Sequence, residues 1–182
     1  MAKLAAYKYS EALFELAVEM ERTDEFYDEA GAVLEAFSEN SELNNLLNHP
    51  KVSKEDKERF IEKSFGEFLS REMTGLLVLM ISKDRQRDIK DTLIEFRDKV
   101  LDYKKIGTVY VKTAAPLSRK QKEKLVDRLL ATTDYREFHM NYTVEPELIG
   151  GMIIRIKDRV VDSSIKTKLD ELARDLKKIQ LM

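Results

Sequence analysis

Few residues in this chain of 182 are equipped for covalent chemistry. His49 and His139 are its only histidines, the side chains whose ordinary pKa suits proton transfer near neutrality. Neither stands at metal-ligand spacing from the other or from nearby acids. His49 precedes Pro50 and reads as a helix end, and His139 alternates with Phe138 and Met140 and reads as the polar side of a strand. Ser53, Ser118 and the pair Ser163–Ser164 each sit just ahead of a helical pattern, where a hydroxyl caps backbone N–H groups. The nucleophile elbow G-x-S-x-G is absent. So are G-x-x-x-x-G-K-[ST] and G-x-G-x-x-G, which leaves no phosphate cradle. With no cysteine there is no disulfide and no thiolate metal site. The expectation is a protein without catalytic residues, cofactor or metal.

The most informative stretch runs from Pro146 to Ile165, PELIGGMIIRIKDRVVDSSI. Gly150 and Gly151 are adjacent in a chain with only six glycines, which marks a bend, a bulge or a close backbone approach. They precede the apolar run Met152–Ile156, a strand, and not a helix, so the context is wrong for a dinucleotide turn. Lys157-Asp158-Arg159 is a polar break before Val160-Val161. Asp162, Ser163 and Ser164 then offer N-cap oxygens to a last amphipathic helix.

These residues must be positioned by the elements around them. The first hundred residues repeat the helical period. Tyr9, Ala12, Leu13, Leu16, Ala17 and Met20 form one stripe, while Tyr7, Phe14 and Val18 lie off it. Thr23-Asp24 starts a second helix, Ser41 caps a short third one ended by Pro50, and Ser53-x-x-Asp56 opens a fourth with Phe60 and Ile61 inward. A fifth is predicted over about Phe68–Lys83, and a sixth from Asp84 to about Lys104 with Ile89, Leu93, Phe96, Val100 and Tyr103 on its stripe. Six helices with short links describe an all-α bundle.

At Gly107 the period changes to two. Val109, Val111 and Thr113 alternate with Tyr110 and Lys112, Pro116 breaks the strand, and Ser118 with Gln121 forms a capping box for a helix through about Leu130. Phe138, Met140, Tyr142 and Val144 form a second strand, two more follow in the Gly-Gly stretch, and a final helix carries Ile165, Leu169, Leu172, Ala173, Leu176 and Ile179 on one face. The expected fold class is α+β: an N-terminal all-α six-helix bundle over residues 1–105, then a small α+β domain over 106–182 in the order β-α-β-β-β-α. Ile165, Leu169, Leu172 and Leu176 are expected to pack on the sheet.

Charge divides the same way. The chain is 36% charged with a net charge of −2. Residues 1–105 carry 17 Lys and Arg against 23 Asp and Glu, hence −6, and residues 106–182 carry 15 against 11, hence +4. Two modules meeting different surfaces fit this asymmetry. An RNA-binding role for the basic C-terminal domain is the alternative reading, but the aromatic residues it needs for stacking, Phe138 and Tyr142, share a strand face with Met140 and Val144. The longest apolar run, Leu76–Ile81, is far shorter than the roughly 20 residues that span a bilayer. The N-terminal stretch, interrupted by Lys8, Glu11, Glu15 and Glu19, reads neither as a signal peptide nor as a transit peptide. A protein that stays in the compartment where it is made is expected.

Five segments, in order, resemble the delta subunit of F-type ATP synthase and its mitochondrial relative, the oligomycin-sensitivity-conferring protein. Tyr9-Ser10-Glu11-Ala12-Leu13-Phe14-Glu15-Leu16-Ala17 resembles the first helix of that family, with Ser10 in place of Ala. Leu47-Asn48-His49-Pro50-Lys51-Val52 is similar to its Pro-centred turn, and Leu76–Arg87 to its Leu-Leu…Arg segment, with Asp84 where Asn is usual. Thr113-Ala114-Ala115-Pro116-Leu117-Ser118 resembles the Ser-Ala-x-Pro-Leu-Ser strand end. Val144-Glu145-Pro146-Glu147-Leu148-Ile149-Gly150-Gly151, followed by Lys157-Asp158 and Asp162-Ser163-Ser164-Ile165, resembles the C-terminal signature, with Lys157 and Ser163 where the family has glycines. The motif residues are Pro146, Gly150, Gly151, Asp162 and Ser164.

The resemblance implies a non-catalytic stator component without cofactor. It would join the catalytic α/β head to the peripheral-stalk b subunits so that the head does not turn with the rotor of a proton-translocating synthase. It implies two partners: the N-terminal helix of an α subunit, held between the first and fifth helices, and the C-terminal region of b, met by the C-terminal domain. Nucleic acid is not among them. The membrane is reached only through the complex, on the cytoplasmic face of a bacterial cell membrane. Tyr9, Ala12, Leu13, Leu76, Leu79 and Met80 are the groove candidates, because the first and fifth helices carry more apolar surface than one core face needs. Four or five buried anchors at about 1.5–3 kcal/mol each supply about 6–15 kcal/mol before association costs. A stalk contact is expected on the flank of the last helix or on its neighbours.

Overall fold

The computed structural model describes residues 2–179, with side-chain surroundings for residues 4–176. The chain divides into two compact units, residues 1–101 and 102–182.

The first unit contains α1 (Ala2–Glu19), α2 (Thr23–Glu39), α3 (Ser41–Asn48), α4 (Lys54–Phe65), α5 (Arg71–Ser82) and α6 (Ile89–Tyr103), which is preceded by a 3₁₀ turn at Gln86–Asp88 and continues into the second unit. The apolar stripes converge on one core in which Phe26, Phe96, Met73, Leu77 and Ile81 are essentially inaccessible to solvent. Burying each such side chain contributes about 1.5–3 kcal/mol, which is why stripe spacing dictates which face turns inward. Ser10 sits in this core without penalty because its hydroxyl donates to the Tyr7 carbonyl at 2.8 Å.

Several ends differ from the sequence expectation. The fifth helix starts at Arg71 and not near Phe68, which is 80% exposed; its N-cap is Ser70, whose Oγ accepts the Met73 N–H at 3.2 Å. Ser41 is the first residue of α3 and not its cap, a position taken by Asn40 without a side-chain cap bond. Glu21 and Asp84 occupy the left-handed region that usually favours glycine, at φ 56° and 58°. At α1 the Arg22 N–H reaches the Ala17 carbonyl and the Glu21 N–H the Val18 carbonyl; at α5 Arg85 reaches Met80 and Asp84 reaches Ile81. These paired bonds stop the helices with no glycine to announce it.

In the second unit, β1 (Ile106–Thr113), β2 (Glu137–Val144), β3 (Met152–Ile156) and β4 (Arg159–Asp162) form one sheet in the order β2-β1-β3-β4. β1 pairs parallel to β2 through α7 (Arg119–Thr132), and antiparallel to β3, which pairs antiparallel to β4. The parallel pair requires a crossover, and α7 supplies it. Val109, Val111 and Phe138 pack with Leu125, Leu129 and Leu130 of α7. Met140 and Tyr142 join that core, so the alternation of β2 delivers them to the side covered by the helix. Tyr110, on the opposite face, stays 45% exposed with the Arg155 guanidinium 5.1 Å from its ring centre.

The last helix, α8 (Ile165–Ile179), overturns one expectation. Ile165, Leu169, Leu172 and Leu176 do not pack on the sheet. They are 43%, 50%, 60% and 64% exposed, and α8 touches the 3₁₀ turn Pro146–Leu148 instead. The Ile179 side chain lies outside the described residues. The same spacing of four, three and four is buried in α6, at Ile89, Leu93, Phe96 and Val100, so the stripe by itself does not distinguish a helix covered by its own unit from one left open.

Candidate functional site

The predicted groove residues come from two helices that pack against each other, α1 and α5. Their side chains divide into two layers. Leu13 and Met80 are 3% and 0% exposed and belong to the bundle core, so their side chains are closed to any partner. Tyr9 and Leu76 are half-buried and pack on that core, while Ala12 and Leu79 stand outward, Leu79 at 45% exposure. Of the predicted groove residues, therefore, only Tyr9 and Ala12 on α1 and Leu76 and Leu79 on α5 keep accessible side chains. Gly75, one turn before Leu79, was not singled out by the sequence. It is exposed, a Cβ there would meet nothing within 4 Å, and with Val78 it lines a cavity shared with Glu62 and Gly66 at the end of α4.

The helices that carry this surface are fixed from outside it. The Arg22 guanidinium, after α1, pairs with Glu25 at 2.6 Å and with Glu72 of α5 at 3.4 Å. The hydrogen bond from Arg22 holds the Glu25 carboxyl below its usual range. Tyr7 stands on another side of α1 under the Lys99 ammonium, 3.8 Å from its ring centre, and is not part of the surface.

The C-terminal motif residues are brought together as backbone devices. Pro146 opens the 3₁₀ turn. Gly151 has φ +76°, and a Cβ there would lie 2.3 Å from the Ser163 carbonyl oxygen, so the strand and the entry to α8 approach as closely as a residue without a side chain allows. The Gly150 carbonyl accepts the Ile165 N–H at 3.0 Å, and the Ser163 N–H reaches the Met152 carbonyl at 2.9 Å. Asp162 accepts from the Ser164 N–H at 2.8 Å and from the Thr167 hydroxyl at 2.7 Å; Ser164 Oγ accepts the Thr167 N–H at 3.2 Å. These hydrogen bonds, led by the Ser164 backbone, pull the Asp162 carboxyl below its ordinary pKa. Lys157, at φ 50°, makes the turn where the family pattern has glycine. Its ammonium pairs with Asp102 at 2.5 Å and rises in pKa for that reason.

The two histidines have structural surroundings. His49 ends α3, and its Nδ1 accepts the Lys51 N–H at 3.2 Å. His139 is exposed on β2. A cavity of about 800 Å³ in the second unit is lined in part by Asp102, Lys105, Tyr135, Lys157 and Arg159, and Lys157 and Asp102 are already committed to each other. Among the described residues no group of three or more His, Asp or Glu is placed to hold a metal ion, and no helix is long and apolar enough to cross a membrane.

Comparisons agree with this architecture. The family model for the ATP synthase delta (OSCP) subunit matches residues 5–176. A protein of Lachnoclostridium phytofermentans named ATP synthase subunit delta is 48% identical over the whole of both chains. A namesake from Halalkalibacterium halodurans is 33% identical, covering 94% of this chain and 93% of its own. The Propionigenium modestum relative, 29% identical over 92% of this chain and 95% of its own, is named sodium ion specific. Among solved structures, a chain of the Toxoplasma gondii mitochondrial ATP synthase hexamer shares the fold, with a TM-score of 0.73 at 18% identity, covering 94% of this chain and 96% of that one. A first unit of helices, a second unit of mixed sheet and helices, and relatives matched end to end lead to one conclusion: the chain belongs to the ATP synthase delta (OSCP) subunit family, a structural and not a catalytic subunit of the F-type complex.

Proposed function

We propose that this subunit is the stator link of a proton-translocating F-type ATP synthase. Its first unit binds the N-terminal helix of an α subunit, and its second unit meets the C-terminal region of the peripheral-stalk b subunits. The load between head and stalk then passes through this chain, so the head does not follow the rotor. The chain reaches the cytoplasmic face of the membrane only as part of the complex. The relative named sodium ion specific is compatible with this reading, because a linker of head and stalk takes no part in ion passage.

The observation that carries the reading is that the packed helices α1 and α5 each leave apolar side chains accessible over a sealed core, Leu79 nearly half exposed on α5 and Ala12 exposed on α1. An amphipathic helix docks in such a groove by anchors on one face. The test is binding of a synthetic peptide, the N-terminal helix of the α subunit, to the full chain by calorimetry. Saturable 1:1 binding that disappears in Leu79→Asp is expected. Equal binding by parent and variant removes the groove from the proposal, and no binding by either removes the α subunit as its partner.

A further inference from the structure

Gly75 has a cost and no internal reason. It is the fifth residue of the 12-residue helix α5, a position where glycine weakens a helix relative to alanine. The chain has six glycines, and at the other five an added Cβ would come within 4 Å of a neighbour. At Gly75 it would meet nothing, so the protein's own packing does not require the missing side chain. A bare spot on an exposed helix suits a partner that comes within backbone distance.

The preceding residue points the same way. The Thr74 hydroxyl is buried and, among the described residues, has no hydrogen-bond partner. Thr92 and Thr132 show the usual solution for a helical threonine, donation to the carbonyl four residues back, at 2.8 Å in each case. A buried hydroxyl left unsatisfied costs stability and calls for an explanation. Thr74 and Gly75 both line a cavity of about 410 Å³, together with Arg71 and Val78 of α5 and Glu62 and Gly66 at the end of α4. Gly75 is also one turn from Leu79, so a helix lying along Leu79 passes over Gly75 and reaches the edge of the cavity.

The lining selects the side chain that enters. Arg71 offers only donors, Glu62 only acceptors, and Thr74 one of each kind. A partner acid would face Glu62, and a partner base would face Arg71. A carboxamide accepts from Arg71 or Thr74 with its oxygen and donates to Glu62 with its nitrogen. We infer that this cavity is a side pocket of the surface proposed above for the α-subunit helix, a reading on which the inference rests. The docked helix passes close over Gly75 and places an Asn or Gln side chain among Glu62, Arg71 and Thr74, whose hydroxyl thereby gains its partner.

The experiment measures binding of a synthetic peptide, the N-terminal helix of the α subunit, to the full chain and to its Gly75→Ala, Thr74→Val, Arg71→Met and Glu62→Met variants by calorimetry, with thermal unfolding of each. Gly75→Ala is expected to raise the unfolding temperature by about 2–4 °C, because alanine favours the helix and finds free space, and yet to weaken binding about tenfold. Thr74→Val is expected to unfold at or above the temperature of the parent and to bind about threefold more weakly or worse. If both variants are stabilised and bind as tightly as the parent, the side pocket is overturned and the two residues are features of the bundle alone. A lower unfolding temperature for Thr74→Val shows that its hydroxyl is satisfied within the bundle and overturns its role. Arg71→Met and Glu62→Met are each expected to weaken binding about threefold or more. A loss confined to Arg71→Met reveals a partner acid, a loss confined to Glu62→Met reveals a partner base, and both results overturn the carboxamide. If Leu79→Asp abolishes binding while these four variants bind like the parent, the α-subunit reading stands and the side pocket falls. If the parent itself ignores the peptide, both fall.

Discussion

The carboxylate of Glu29, on α2, clamps the start of α5 through Ser70. It accepts the Ser70 backbone N–H at 2.6 Å and the Ser70 hydroxyl at 2.7 Å, while the same Oγ caps Met73. A helix N-terminus leaves its first N–H groups without intrahelical partners, and Glu29 supplies one from 41 residues away. The consequence is register: α5, which carries Leu76 and Leu79, is tied to α2.

Glu29→Ala is therefore expected to destabilise the first unit by about 1–3 kcal/mol, because a partly buried N–H and hydroxyl lose their charged acceptor. The measurement is the urea midpoint of the full chain. An unchanged midpoint would show that Ser70 finds another acceptor.

Leu79 and Met80 are neighbours with opposite expectations. Met80 is fully buried, so Met80→Ala is expected to cost about 2–5 kcal/mol of stability. Leu79 is 45% exposed, so Leu79→Asp is expected to leave the unfolding temperature nearly unchanged and to abolish binding of the peptide from the α subunit. Thermal unfolding and calorimetry on the two variants separate core from surface. A cold-shifted transition for Leu79→Asp would place that side chain in the core.

The two adjacent glycines are expected to respond unequally to alanine. At Gly151 the added Cβ meets backbone, the Ser163 carbonyl oxygen at 2.3 Å, and the residue needs φ +76°. Gly151→Ala should destabilise the second unit by about 1–3 kcal/mol or more. At Gly150 the Cβ meets only the movable end of Ile165, so Gly150→Ala should cost less. Amide exchange of β3 and α8 in each variant reads the difference.

Asp162 gives the second unit a pH dependence of known sign. Its carboxyl is held below its ordinary value by the Ser164 N–H and the Thr167 hydroxyl. A depressed carboxylate contributes stability that is fully present above its unfolded-state pKa and is lost as pH falls through the lower folded value. The second unit should weaken in acid below about pH 4. Asp162→Asn should flatten that slope while lowering stability at neutral pH. Thermal unfolding across the acid range up to neutral pH tests it, and parallel profiles for parent and variant would dismiss Asp162 as the group responsible.

The period of the apolar residues was enough to read six helices, the change to strands at Gly107 and the order β-α-β-β-β-α, because burial acts on every residue of a face and leaves a redundant pattern. Ser53, Ser118 and Ser164 were legible as caps for the same local reason: hydroxyl and N–H are three residues apart in the chain. The family followed from motifs spread through both halves.

What only the tertiary structure decided depends on groups distant in sequence or on single dihedral angles. Helix ends at Glu21 and Asp84 carry no glycine signal, since a Schellman closure formed by non-glycine residues is written in backbone bonds and not in residue type. The separation of Leu13 and Met80 from Ala12 and Leu79 is a matter of one position around a helix, about 100°, which an apolar stripe does not resolve. Ile149, with its positive φ, and the uncovered seam of α8 escaped for a related reason. Apolar residues report that a face is to be buried, and the same stripe results whether the cover is the chain's own sheet or a helix of another polypeptide.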